Sequence, residues 1–140
     1  MYIDKTLQFS ADQALTATAA SDNSVNLGAN RPIGPGEELW LVVVAKAGLA
    51  GTTPTMTIGI ETDDASSFAS ADTPLVSGSL TDVTFPTGTI YAMRWPLITK
   101  PGDLYARVKY TLGGTTPTAT VDAFLTNQPP PTWQPFPDAI

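Results

Sequence analysis

The 140-residue chain contains no cysteine and no histidine. That removes disulfides, thiolate nucleophiles, zinc sites of the usual Cys/His kind, haem ligation and every histidine-based triad or general base. Charge is scarce as well, with Asp, Glu, Lys and Arg making up 14% of the residues against about 25% in an ordinary domain. Glu and Lys, the common surface helix formers, together number only seven, which argues against a helical bundle. The longest unbroken apolar run, residues 39–45, is far short of the roughly 20 needed for a spanning helix. The first ten residues carry a charge pair and no apolar segment of the secretory kind, so neither membrane insertion nor signal-directed export is expected and synthesis in a cytoplasm is.

Thirteen acids outnumber seven bases, giving a net charge of −6. The bases Lys5, Arg31, Lys46, Arg94, Lys100, Arg107 and Lys109 are scattered along the chain. A nucleic-acid backbone would be repelled, and no nucleic-acid partner is expected.

What the sequence has in quantity is threonine, 21 residues, together with 24 glycines and prolines. Threonine is β-branched and suits a pleated, half-buried surface, while glycine and proline supply turns. With 42% hydrophobic residues there is enough apolar surface for one compact core rather than disorder. Period-2 alternation is the dominant pattern. Leu104, Ala106, Val108, Tyr110 and Leu112 share one face of a strand; Met56, Ile58 and Ile60 share another, and Ala119, Val121, Ala123 and Leu125 a third. Residues 38–47 are apolar through their middle and read as a central strand. Residues 89–95 form a further strand, with weaker candidates at 14–20, 24–27, 75–80 and 83–85. Breakers lie at 31–36, 48–54, 62–74, 100–103 and 113–117. About eight short strands at this spacing predict an all-β, antiparallel, jelly-roll-like sandwich. It would occupy residues 1–127, including an extended N-terminal arm. Residues 128–140 hold five prolines and would form an extended tail that cannot be an interior strand.

Two segments echo each other. Gly51-Thr-Thr-Pro-Thr55 and Gly114-Thr-Thr-Pro-Thr118 lie 63 residues apart, each preceded by a long apolar strand with a Pro-Gly-acid start and followed by an alternating one. The pattern predicts two related hairpins in a pseudo-twofold fold, with residues 39–41 matching 104–106 and each copy turning one strand back onto the next.

The acids are the remaining source of chemistry. Glu61, Asp63, Asp64 and Asp72 sit in or beside the polar stretch 62–74, but their spacing matches no calcium motif, and a solvated acidic loop is the expectation. A glycosidase needs two acids facing across a sugar-sized cleft; Asp122, the one acid inside a strand, has no evident partner in the sequence. No catalytic residue, no cofactor and no metal are therefore expected. Trp40, Tyr91, Trp95 and Tyr105 offer the alternative of a carbohydrate- or receptor-binding module, with Trp95 and Tyr105 the better candidates for an exposed face and Trp40 for burial.

The opening Met1-Tyr-Ile-Asp-Lys-Thr-Leu-Gln-Phe-Ser10, with Thr16-Ala-Thr-Ala-Ala-Ser21, Val25-Asn-Leu-Gly28 and the strand start at Pro35-Gly-Glu-Glu-Leu39, resembles a family of phage capsid cement proteins of the Bordetella podovirus type. The resemblance implies a jelly-roll protein that binds the outer surface of the head, partners the major capsid protein, forms a homodimer at local twofold positions and reinforces the shell. On that basis Tyr2, Ile3, Leu7 and Phe9 at one end, and Trp133 and Phe136 at the other, are the expected contact residues, with packing of both termini on their own sandwich as the alternative.

Overall fold

The computed structural model describes residues 7–26, 39–95 and 105–126. Eight strands follow in chain order: β1 (Gln8–Leu15), β2 (Ala19–Ala20), β3 (Val25–Asn26), β4 (Trp40–Asp63), β5 (Asp72–Val76), β6 (Leu80–Thr81), β7 (Ile90–Arg94) and β8 (Tyr105–Thr126). All pairings are antiparallel, so the all-β antiparallel expectation holds. Among the described residues no helix is long and apolar enough to cross a membrane.

Two strands dominate. β4 and β8 span 24 and 22 residues and pair with each other from Trp40↔Thr126 to Asp63↔Tyr105. The short strands divide between them: β1, β2 and β3 pair with β8, while β5, β6 and β7 pair with β4. The alternation seen in the sequence builds the core. Leu41, Val43 and Ala45 of β4 and Ala106, Val108 and Tyr110 of β8 are buried, and beyond the middle of each strand so are Met56, Ile58 and Ile60, and Ala119, Val121 and Ala123. The inward residues are odd-numbered before the middle of β4 and even-numbered after it, and the reverse in β8. A side-chain period of two permits such a switch only where bulges shift the count, and the register shifts between Ala45 and Thr55 mark the place.

The two Gly-Thr-Thr-Pro-Thr segments occupy that middle, and here the hairpin expectation fails. Neither copy turns its own flanking strands onto each other; both run through within a single long strand, and the copies lie against one another, with Ala50↔Thr118, Thr52↔Thr115 and Thr55↔Gly113 paired. The backbone explains why turn residues do not make a turn. Gly51 (φ +134°) and Gly114 (φ +94°) each precede, by two residues, a threonine in the left-handed region, Thr53 (φ +46°) and Thr116 (φ +48°). Each segment therefore kinks its strand without reversing it. A Cβ on Gly51 would lie 2.8 Å from the Thr116 carbonyl oxygen, and one on Gly114 would lie 2.5 Å from that of Thr53, so only glycine lets the two backbones approach this closely.

Other boundaries shift for local reasons. Residues 83–85 form a turn rather than a strand, closed by Phe85 N–H donating to the Thr81 carbonyl at 2.8 Å and by the Thr81 amide donating to Thr84 Oγ1 at 2.8 Å; side-chain oxygens of this type compete with ladder formation. The polar stretch 62–74 contracts to residues 64–71, because Thr62 and Asp63 continue β4 and Asp72–Val76 pairs back onto it. The N-terminal arm enters the sheet as β1 from Gln8 onward.

Candidate functional site

Of the six expected contact residues, Tyr2, Ile3, Trp133 and Phe136 lie outside the described residues. Leu7 packs half-buried against the core. Phe9 is 0% exposed, with its ring stacked on Trp95 at a centroid distance of 5.9 Å and an interplanar angle of 16°. The Phe9 side chain is thus an internal packing residue of the chain itself, following the alternative reading for that terminus. Gln8 pairs with Phe124, and Thr126 pairs with Trp40, so Gln8 and Thr126 lie at the same end of the sheet.

The aromatic candidates for a sugar platform are redistributed. Trp95 is only 8% exposed, which corrects its expected place on an open face: its stack on Phe9 and the bond from its amide to the Leu39 carbonyl at 2.7 Å hold it inside. Trp40, Tyr91 and Tyr105 are half-buried. The indole N–H groups of Trp40 and Trp95 are buried without an acceptor among the described residues.

The acids have internal partners. Glu61 faces two cations of β8, with Arg107 Nε donating to Oε2 at 2.6 Å and Lys109 Nζ 3.6 Å from Oε1; the Arg107 guanidinium also sits 4.3 Å over the Phe68 ring. Asp63 caps the loop that follows β4, accepting bonds from the Asp64 amide at 2.8 Å and from the Ser70 amide and hydroxyl at 3.1 Å each. Burial alone would raise the Asp63 carboxyl, but these bonds from Ser70 and Asp64 outweigh it and hold the group below the usual carboxylate range. Asp122, without an evident partner in the sequence, accepts the Asp12 amide at 2.6 Å and pairs with Lys46 at 3.7 Å. These carboxylates serve as ties between strands and loops, and among the described residues no three of them gather as metal ligands would.

One polar group lies deep in the core. The Tyr110 hydroxyl is 2.8 Å from Ser10 Oγ, which donates to Gln13 Oε1 at 2.7 Å, so Tyr110 is the donor to Ser10. Gln13 in turn donates to the Ala20 carbonyl at 2.8 Å and accepts the Asp22 amide at 3.0 Å. This chain ties β1, β2 and β8 together, and burial pushes the Tyr110 hydroxyl well above its ordinary range.

The geometry defines a class: an antiparallel β protein whose buried and partly buried polar groups hold its own strands together and whose two long strands are kinked by the same five-residue segment. The Bbp16 family model matches residues 9–125, and the chain belongs to the Bbp16 family, a family of Bordetella phage proteins. No curated protein matches the chain.

Proposed function

We propose that the protein is a capsid cement protein that binds the outer surface of a phage head and stabilises the assembled shell, with the major capsid protein as its partner. Membership of the Bbp16 family over residues 9–125 carries this reading, together with the resemblance of the N-terminal segments to phage cement proteins. The internal use of Glu61, Asp63 and Asp122 is in keeping with a structural, non-enzymatic role without cofactor or metal. The net charge of −6 suits a protein that stays off the packaged genome. Tyr2, Ile3, Trp133 and Phe136, which lie outside the described residues, are the proposed contact residues on this reading. The resemblance also implies a homodimer at a local twofold.

The reading is tested by mixing the protein with heads stripped of it and sedimenting them. Saturable co-sedimentation, with heads that then resist heat to a higher temperature, is the expected result. Absence from the pellet, with retention instead on a polysaccharide resin, would favour a carbohydrate- or receptor-binding module and overturn it.

A further inference from the structure

The outer row of backbone groups on an edge strand is a template for pairing with another strand. The hydrogen-bond phase of β7 shows which of its groups form that row. The Ala45 amide donates to the Thr89 carbonyl at 2.8 Å, and the Trp95 amide donates to the Leu39 carbonyl at 2.7 Å. The odd-numbered residues of β7 therefore face β4, and alternation along an antiparallel ladder turns the N–H and C=O groups of Ile90 and Ala92 to the opposite side. Among the described residues no strand pairs with β7 on that side.

The other edges are guarded. β5 contains Pro74, which has no amide to donate, and its register with β4 breaks between Ile60 and Thr62. β1 has two register breaks and sets Asp12 at φ +47°. Two of its carbonyls are also occupied, Phe9 by the Asn23 amide at 2.9 Å and Ser10 by Gln8 Nε2 at 3.3 Å. β2, β3 and β6 are two residues long. Among the described edges β7 alone runs for five residues with no proline and no register break. Ile90, Tyr91, Ala92 and Met93 carry no charge; Ile90 is 47% exposed, and Tyr91 and Ala92 are half-buried.

We propose that β7 is the docking strand for a second copy of this chain, the two β7 strands pairing antiparallel about a twofold axis at Tyr91 so that two sheets join edge to edge. In that register Ile90 of each chain lies opposite Ala92 of the other, and each such pair exchanges both of its hydrogen bonds. Tyr91 faces Tyr91 of the partner subunit in the closer, non-hydrogen-bonded kind of pair, where aromatic side chains add to cross-strand stability. The contact is isologous and closes at two chains. Charge favours a like chain at this edge. Each copy carries −6, and pairing through β5 or β1 would bring Asp72 or Asp12 toward its own kind, whereas residues 90–93 bring no charge together. The same neutrality leaves β7 without the charges that select a different partner. The edge geometry carries the pairing, and its place at a local twofold of the head rests on the cement reading.

Native mass spectrometry over a concentration series should show the full chain as a dimer. Ile90→Lys puts a charge on an exposed position of the edge, and Ala92→Pro removes an amide that β4 does not use; each should weaken the dimer about tenfold or more, with Ile90→Lys melting within a few degrees of the native protein. Because the chain has no cysteine, Tyr91→Cys carries a single thiol. A non-hydrogen-bonded pair has a Cα separation of about 4.5 Å, within disulfide reach, so oxidation should link two chains of Tyr91→Cys and leave Val76→Cys, on the β5 edge, unlinked. A native chain that stays monomeric, a dimer that Ile90→Lys leaves intact, or equal linking of the two cysteine variants overturns the proposal. A monomeric native chain whose binding to heads is abolished by Ile90→Lys also overturns it, giving the edge to a strand of the head instead. A dimer that behaves as expected but does not co-sediment with heads leaves the pairing standing and overturns the cement reading alone.

Discussion

Two residues show how function-like groups can be structural. Tyr110 has the buried hydroxyl and raised pKa often met in active sites, yet its partners Ser10 and Gln13 are neutral and lead back to the Ala20 carbonyl. Its folded pKa is raised above an unfolded value near 10, so its contribution to stability is fully present below that pH and is lost as pH rises through the folded value, because the unfolded chain releases the proton first. Denaturant melts between pH 9 and 11 should show the native protein losing stability with a steeper slope than Tyr110→Phe, which should itself cost about 1 kcal/mol at neutral pH; identical slopes would disprove the linkage. Phe9 carries the complementary lesson. The resemblance made it an expected external contact, and only the structure reveals Trp95, 86 residues away, stacked on it. Phe9→Ala should cost about 3–5 kcal/mol in an equilibrium melt, and a variant that melts like the native protein would return Phe9 to the surface.

At the scale of elements, the alternating segments of β4 and β8 were legible from period-2 patterning alone, because one buried face fixes the parity of every inward residue. The strand at 89–95 was legible for the same reason, and the central strand at 38–47 from its unbroken apolar middle. What patterning could not reveal was the path between segments: Gly-Thr-Thr-Pro-Thr has the composition of a turn, and whether such a segment reverses the chain or kinks it depends on what lies opposite. Here the opposite strand carries the same segment, and the correspondence survives for residues 40–41 with 105–106, residue 104 lying outside the described residues, while the hairpins do not. The kink makes its own prediction. Gly51→Ala and Gly114→Ala each drive a Cβ to within 3 Å of carbonyl oxygens on the other copy, at positive φ, and each should cost about 2 kcal/mol in denaturant melts. The two losses should be similar; a neutral Gly51→Ala would mean that the backbones do not approach as described. Asp122 was illegible for a related reason, since its partners Asp12 and Lys46 are brought to it only by the pairing of β1 and β4 with β8.

For the whole molecule, the cement reading assigns the fold to the sheet and head binding to the chain ends. The five prolines of residues 128–140 lack the amide donors a ladder requires, so deleting that segment should leave the melting temperature within a few degrees. Trp133 and Phe136, acting as buried anchors on the head, would each contribute about 2 kcal/mol, so each lost anchor should weaken retention on heads by about 30-fold. A truncated protein that binds heads as the native one does would remove the tail from the contact. The most direct measurement of the account is a density map of phage heads carrying the protein. It should show the β sheet on the outer face of the shell, in contact with the major capsid protein; density confined to the inside of the head, or a shell without the protein, would contradict it.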